Sequence, residues 1–199
     1  MQTATIKVNL YNFSELAGKQ SKEKAKSELT LDLADIIKFE ISEHIKERLI
    51  NAGLTGLTQD IAYSLTGAQG DGVAFYGKVN LKEFMQKQNI VTENEIPDMF
   101  VSVYHTQSYG KYNHYGTMSI TSDIEFYEIP KKIIKESKQI LNKLDMKIKA
   151  ISLQLEKECY LIIENIESDE YINQYCMENE LKFLKNGTLF VLEAFYEVV

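Results

Sequence analysis

Aromatic, imidazole and lysine side chains crowd into one short stretch of the sequence, YHTQSYGKYNHY at residues 104–115. Aromatic rings interleaved with hydrogen-bond donors suit stacking on a base or gripping a protein partner. Its two histidines could also bind a metal or transfer protons, but Asp123 is the only carboxylate nearby in sequence, so no metal site is predicted. Tyrosine is also common in strands for purely structural reasons, which is the alternative interpretation. The predicted partner-binding residues of this stretch are Tyr109, Lys111, Tyr112, His114 and Tyr115.

A glycine-rich loop, GAQGDG at residues 67–72, is the second candidate. It lacks the Gly-Lys-Ser/Thr ending of a phosphate-binding loop, and a strand-like stretch follows it where a dinucleotide-binding motif would open a helix. Asp71 is its only acid, whereas a calcium loop needs several spaced carboxylates. Its glycines permit a tight reversal, in which Asp71 and Gln69 can bond backbone amides. We interpret the loop mainly as a turn between strands; the alternative is that it also presents Gln69 and Asp71 to a partner.

A small enzyme is the alternative to a binding protein, with Asp71 and His114 as acid and base on adjacent hairpins. The sequence holds no Gly-x-Ser-x-Gly nucleophile motif, and neither Cys159 nor Cys176 has a histidine close by in sequence. Both cysteines lie in helical patterns, where buried free thiols are the usual state. His44 lies beside the apolar side of its predicted helix and is interpreted as a boundary residue with a satisfied imidazole. No catalytic residue and no cofactor is therefore predicted.

Hydrophobic spacing predicts the elements that hold these stretches. Alternating apolar residues in TATIKVNLYNF, residues 3–13, predict a strand with one buried face. The polar, lysine-rich stretch SELAGKQSKEKAKSEL, residues 14–29, predicts one or two short helices. Apolar residues at three- and four-residue steps predict the next helix, which begins after Asp32 and ends at Gly53. Two strands then flank the glycine-rich loop, and Asn80 begins a short helix.

The second half of the chain is predicted to hold a hairpin followed by helices. Strand-like residues on both sides of YGKYNHY form the hairpin, and a long helix covers about residues 130–165. Ser168 begins a further helix, and Asn186-Gly187 turns a final hairpin. The order β-α-α-β-β-α-β-β-α-α-β-β is typical of a single α+β domain over residues 1–199, a mostly antiparallel sheet covered by helices.

The long helix carries a seam of apolar residues with the 3.5-residue spacing of a coiled coil. We interpret the seam as the side that covers the sheet. The alternative is a helix that also pairs with a second subunit, in a homodimer with a structural role. The residues of the seam are Leu141, Leu144, Ile148, Ile151, Leu155 and Ile162.

The composition limits the kind of partner. The chain has 199 residues and a net charge of −7, from 29 acidic and 22 basic residues, and such a protein repels a phosphate backbone unless its lysines cluster. Direct nucleic-acid binding is not expected; the charge serves solubility or forms an acidic face that docks on a basic, nucleic-acid-binding partner. The first residues lack the pattern of a signal peptide and no apolar run approaches the ~18 residues of a membrane span, so we expect a cytoplasmic protein without a membrane partner.

Four stretches, taken in order, resemble a widespread group of small phage and prophage proteins. That group carries a Ser/Ala-Gln-Gly-Asp-Gly segment, a later histidine that runs into a strand with an acidic residue, and a closing Asp/Asn-Gly turn. Here His114 matches the histidine and Asp123 the strand acid, whereas Tyr115 stands where a glutamate often follows the histidine. The matching residues of the glycine-rich segment are Gln69, Gly70, Asp71, Gly72 and Phe75. The four stretches are YNFSELAGKQSKEKA at 11–25, GAQGDGVAF at 67–75, GKYNHYGTMSITSDIE at 110–125 and SDEYINQYCMENELKFLKNG at 168–187.

Members of this group are labelled hypothetical phage proteins or, in some cases, antitoxins of a toxin–antitoxin stability system. The resemblance implies a phage origin and action in the host bacterial cytoplasm, and it names no reaction. Our leading hypothesis is a phage-encoded accessory protein, anti-CRISPR-like or antitoxin-like, that binds a host effector or toxin and inhibits it by steric occlusion. Its contact surface would join the hairpin residues to Gln69 and Asp71.

Overall fold

The residues that the structure describes form helices and one antiparallel sheet, which is the α+β fold that the sequence predicts. The computed structural model describes residues 7–67, 71–92, 100–105, 118–121 and 131–191, and for residues 104–105, 118–121 and 131–137 it describes the backbone alone. The helices are α1 (Lys19–Glu28), α2 (Thr30–Asn51), α3 (Leu81–Lys87), α4 (Lys131–Ile166) and α5 (Asp169–Glu178). The strands are β1 (Asp60–Ser64), β2 (Gly72–Asn80), β3 (Phe100–His105) and β4 (Met118–Thr121). Short 3-10 turns lie at Phe13–Glu15 and Thr55–Leu57.

The packing divides into two compact units. The first combines the two ends of the chain, Met1–Phe39 and Ile162–Val199, and the second is the continuous stretch Glu40–Leu161. Helices α2 and α4 contribute residues to both units. Each unit has its own buried residues, and the single domain over residues 1–199 stays a prediction.

The core of the first unit joins residues from both ends of the chain. The rings of Phe13 and Phe183 pack edge to face with their centroids 6.4 Å apart, an arrangement that aromatic quadrupoles favour. Backbone bonds add to this contact, because Tyr11 N and Phe183 N each donate to the other residue's carbonyl oxygen at 2.9 Å. The buried core residues are Phe13, Leu16, Ala25, Leu29, Leu33, Ile166, Ile172, Cys176 and Phe183.

The predicted N-terminal strand is wrong for the residues that the structure describes. Residues 7–10 form no strand, and only Tyr11 makes an isolated bridge, to Phe183. The apolar members of the alternation, Val8 and Leu10, are 39% and 41% exposed, and no strand among the described residues pairs with them.

The predicted cap and turn near the end of the first unit are confirmed, whereas the predicted start of α2 after Asp32 is wrong, because α2 begins at Thr30 and Asp32 lies in its first turn. Ser168 accepts a hydrogen bond from Tyr171 N at 3.2 Å and begins α5. The chain reverses at Asn186-Gly187, where Leu184 N donates to Thr188 O at 2.8 Å. The last part of the predicted final hairpin, residues 192–199, lies outside the described residues.

Asp169 links the start of α5 to α1. Lys22 Nζ lies 2.7 Å from one of its oxygens and Lys26 Nζ lies 2.8 Å from the other. These contacts, the Lys22 hydrogen bond first, hold the pKa of Asp169 below its ordinary value. A carboxyl group whose folded pKa is lowered stabilises the fold above its unfolded pKa, and that contribution is lost as the pH falls through the folded pKa.

We therefore expect Asp169→Asn to unfold at lower urea concentration than the wild type at pH 6, with the difference closing as the pH falls below about 4. Urea unfolding at a series of pH values measures this difference. Glu170→Gln is the matched control, since Glu170 also lies in the first turn of α5 and has no ion pair among the described residues. A pH-independent difference for Asp169→Asn would contradict the assigned ion pairs.

The second unit is built on the antiparallel sheet β1-β2-β3-β4. Alternate residues of β2 are buried, including Val73, Phe75 and Val79, as expected for a strand with one face toward a core. Ser152 of α4 donates to the carbonyl oxygen of Val73 at 3.2 Å, so α4 packs against this strand. The opposite face of the sheet carries the residues of β2 that alternate with the buried ones, among them Tyr76 and Lys78.

The long helix covers the sheet with the seam that the sequence predicts. Leu144, Ile148, Ile151 and Leu155 are between 0% and 4% exposed. Because these side chains are inside their own unit, they are not available to a second subunit. The homodimer therefore stays a prediction, and these buried residues do not form its interface.

Polar groups tie α2 to α4 at the edge of this core. His44 Nε2 lies 2.8 Å from an oxygen of Glu158, and Arg48 Nε lies 3.1 Å from the same oxygen. Arg48 Nη2 also donates to Gln154 at 3.3 Å. The interpretation of His44 as a boundary residue with a satisfied imidazole is confirmed.

Two predicted helix boundaries and a predicted strand pair in the middle of the chain are also confirmed. Asn80 accepts hydrogen bonds from Lys82 N at 2.9 Å and Glu83 N at 3.1 Å, so it is the N-cap of α3 as predicted. Helix α2 ends where Leu54 N donates back to Leu49 O at 2.9 Å, which places Gly53 at the predicted stop. The paired strands β3 and β4 confirm the two sides of the predicted hairpin, and its turn lies outside the described residues.

Two glycines let the 3-10 turn at Thr55–Leu57 touch the backbone of β2. A Cβ atom on Gly56 would lie 1.7 Å from the carbonyl oxygen of Lys78, and a Cβ on Gly77 would lie 2.0 Å from the carbonyl oxygen of Gly56. Gly77 also has a φ of +153°, which L-residues rarely adopt. Neither position therefore has room for a side chain.

Both cysteines are free and buried, as the sequence predicts. Burial raises the pKa of Cys159 to about 12 and that of Cys176 to about 11. Both groups therefore stay protonated and poorly nucleophilic at neutral pH. No helix in the part of the chain that the structure describes is both long and apolar enough to cross a membrane.

Candidate partner-binding site

The Asp71 carboxylate closes the loop between β1 and β2. One oxygen accepts from Ser64 Oγ at 2.9 Å and from Thr66 Oγ1 at 3.1 Å, and the other accepts from Thr66 N at 2.6 Å. Asp71 is only 2% exposed. The side chain therefore acts within the loop, and the prediction that it can bond backbone amides is confirmed.

Tyr160 of α4 fastens this loop to the long helix. Its hydroxyl donates to Asp71 Oδ2 and accepts from Gly67 N at 3.1 Å. Burial, and then the hydrogen bond with Asp71, raises the pKa of Tyr160, so the phenol stays a neutral donor well above physiological pH. The Tyr160 hydroxyl thus contacts both Gly67 and Asp71, the described residues on either side of residues 68–70.

This arrangement holds Gly67 and Asp71, the described residues on either side of residues 68–70, and occupies the Asp71 carboxylate. An ionised carboxylate has about four lone-pair positions, and at least four donors lie on this one. A catalytic base must instead reach a proton on the substrate. The geometry is that of a braced turn, with Gln69 in a stretch that lies outside the described residues.

The remaining predicted contact residues also lie outside the described residues, so their placement is untested. They are Tyr109, Lys111, Tyr112, His114 and Tyr115. Asp71 is described, and its burial means that direct contact with a partner would require its hydrogen bonds to open. Its role as a partner contact stays a prediction.

Strand register brings the two predicted reversals to the same end of the sheet. Ser64 pairs with Gly72 where β1 meets β2, and His105 pairs with Phe75 on one side and with Met118 on the other. The chain therefore leaves β3 and enters β4 only three residues along β2 from the glycine-rich loop, a distance of about 10 Å at 3.3–3.4 Å per residue. The other connection, from β2 to β3, leaves the sheet at the opposite end.

Comparison of the chain with family models, with curated proteins and with solved structures found no match. What this site can do therefore follows from its own geometry. Among the residues that the structure describes, no group of three or more histidine, cysteine, aspartate or glutamate side chains could hold a metal ion.

Two features of the second unit escape sequence reasoning. Tyr160 lies 89 residues from Asp71, and its only local signal is a position next to the buried seam of α4. The second feature is a cavity of about 640 Å³ on the open face of the sheet, which includes Asp60, Tyr76, Lys78 and Ser102. The alternation along β2 is the signal that could have found it, because Tyr76 and Lys78 alternate with buried residues.

Proposed function

We propose that the protein is a phage-encoded accessory protein that binds a host protein and inhibits it by covering its functional surface. The observation that carries this proposal is the Asp71 carboxylate, which braces the β1–β2 loop from inside and joins it to Tyr160. A loop whose two sides are held before binding loses less conformational entropy when a partner docks. The motif resemblance to phage proteins supports a phage origin and action in the bacterial cytoplasm.

The strand register supports a single contact surface at one end of the sheet. Because both reversals leave the sheet at the same end, residues of the hairpin stretch and the glycine-rich loop can meet one partner together. Interface anchors are enriched in tyrosine, which the hairpin stretch supplies. The proposed anchors are Tyr109, Lys111, Tyr112, His114 and Tyr115, with Gln69 beside them.

The charge of the chain supports a basic partner. A net charge of −7 attracts a positively charged protein and repels nucleic acid itself. A nucleic-acid-binding effector or a toxin has the complementary surface, and electrostatic steering would speed the association and weaken as salt is added.

The enzymatic alternative is less well supported by the described residues. It needs Asp71 as an acid or base, yet this carboxylate is buried and already accepts several hydrogen bonds. Binding a partner does not require the Asp71 carboxylate to release these hydrogen bonds. We therefore prefer binding to turnover.

Affinity capture from host lysate, with and without nuclease, tests the proposal. We expect a host protein that is retained after nuclease treatment and lost when Tyr112 and His114 are both replaced by alanine, because hot-spot anchors carry most of the binding energy. The control variant replaces Gln139 and Lys157, two exposed residues of α4, by alanine and should capture normally. Capture that depends on nucleic acid contradicts the proposal, as does unchanged capture by the Tyr112/His114 variant with a normal circular dichroism spectrum.

A further inference from the structure

A shallow apolar groove lies in the second unit, between the end of α3 and the exposed side of α4. Its volume is about 380 Å³, and its floor includes Phe84, Ile90, Met146 and Ala150. Met146 is 70% exposed, and Val91, next to the groove in sequence, is 91% exposed. Large apolar side chains gathered at one place on a surface are typical of a binding site.

Two lysines form the rim of this groove. Lys143 and Lys147, one helical turn apart on α4, both line it. Neither has a carboxylate partner among the described residues, whereas Lys149 is paired with Asp145 at 2.8 Å. Residues 138–149 hold four lysines and one aspartate, although the whole chain has a net charge of −7. The groove is thus a basic, apolar surface on an acidic protein.

We propose that this groove binds an acidic, amphipathic helical segment of a protein partner. Apolar residues at i, i+4 and i+7 on such a helix would cover the floor, and the flanking carboxylates would lie against Lys143 and Lys147. A nucleic acid would satisfy the lysines but leave the apolar floor exposed.

A second copy of the chain fits this groove poorly. A symmetric dimer places the same patch of each protomer against the other, so the two patches that carry Lys143 and Lys147 would repel each other. The groove also lies apart from the glycine-rich loop, because α3 begins at Leu81, beyond the opposite end of β2 from Gly72. The inference is therefore independent of the capture surface proposed above.

Fluorescence anisotropy with a labelled synthetic helix tests the groove in the full-length protein. The probe is a peptide of about 18 residues, five helical turns, with leucines at i, i+4 and i+7 and glutamates on the flanking positions. One comparison peptide keeps the leucines and carries lysines instead of glutamates, and another scrambles the leucine spacing. We expect the acidic amphipathic probe to bind and each comparison peptide to bind at least about tenfold more weakly.

Charge reversal on the rim provides the decisive comparison. Lys143→Glu with Lys147→Glu should weaken binding of the acidic probe by about tenfold or more, and Met146→Glu should weaken it as well. The matched control, Lys24→Glu with Lys157→Glu, makes the same change in net charge at two exposed lysines outside the groove and should change affinity by less than about twofold.

Three results would overturn the inference. The first is no binding of the acidic probe, and the second is equal weakening by the rim and control variants, which would reduce the effect to overall charge. The third is a dimer in light scattering that Met146→Glu dissociates, since the occupant would then be a second copy. Thermal unfolding of each variant confirms that the fold is kept.

Discussion

Asp71→Ala should lower the free energy of unfolding by about 2–4 kcal/mol, because several donors lose a charged acceptor at once. The Thr66 amide and the Tyr160 hydroxyl both point at the same carboxylate oxygen, and Ser64 at the other. Asp71 is also 2% exposed, so water replaces these bonds only if the loop opens. Urea unfolding followed by circular dichroism measures the loss. Asp60→Ala, at an exposed aspartate in the adjacent strand, is the control and should change stability by less than about 0.5 kcal/mol.

The hydrogen bond from Tyr160 to Asp71 can be tested in the same experiment. Tyr160→Phe should cost about 1–2 kcal/mol, and the double variant should cost less than the sum of the two single changes, because both remove one shared interaction. Strictly additive effects would show that the phenol and the carboxylate do not act on each other. In the capture experiment, Tyr160→Phe should retain less of the host protein than the wild type, since it loosens the loop without altering a proposed contact.

Gly77→Ala should lower the free energy of unfolding by about 3 kcal/mol or more, because the new methyl group would meet backbone atoms rather than a movable side chain. The nearest atom, the carbonyl oxygen of Gly56, would be 2.0 Å away, and the backbone of Gly77 has a φ of +153°. Gly56→Ala should cost a similar amount, since its Cβ would lie 1.7 Å from the carbonyl oxygen of Lys78. Thermal and urea unfolding measure both variants.

Gly67→Ala separates the conformational cost from the steric cost. Gly67 has a φ of +76°, but a Cβ there would have no atom within 4 Å, so only the backbone strain of about 1 kcal/mol remains. A contradicting result is that Gly77→Ala lowers the free energy of unfolding no more than Gly67→Ala does. The 3-10 turn would then move away from β2 at little cost, and the steric account of Gly77 would be wrong.

The sequence predicts most elements of the fold because their signals are local. Asn80 caps a helix through amides two and three residues away, and Ser168 does the same. The stripe of α4 repeats along one helix and needs no knowledge of its neighbour. The N-terminal strand fails for the opposite reason: alternation at Val8 and Leu10 fits a strand, but a strand also needs a partner, and only the fold supplies one.

The candidate site divides in the same way. Sequence reasoning predicts that the glycine-rich loop is a turn and that Asp71 bonds backbone amides, since both depend on a few adjacent residues. It misses Tyr160, because the contact joins residues 89 positions apart. It also misses the groove beside Met146, where residues of two helices meet and neither helix alone shows an unusual pattern.

The division of the chain between its two units sets the order in which they can form during synthesis. Residues 40–161 are contiguous, so their core is complete before the last part of the chain leaves the ribosome. The other core brings Phe13 against Phe183 and must wait until nearly the whole chain is made. Once residue 161 has left the exit tunnel of the ribosome, the nascent chain should therefore already protect the sheet from protease while its first residues remain open to cleavage.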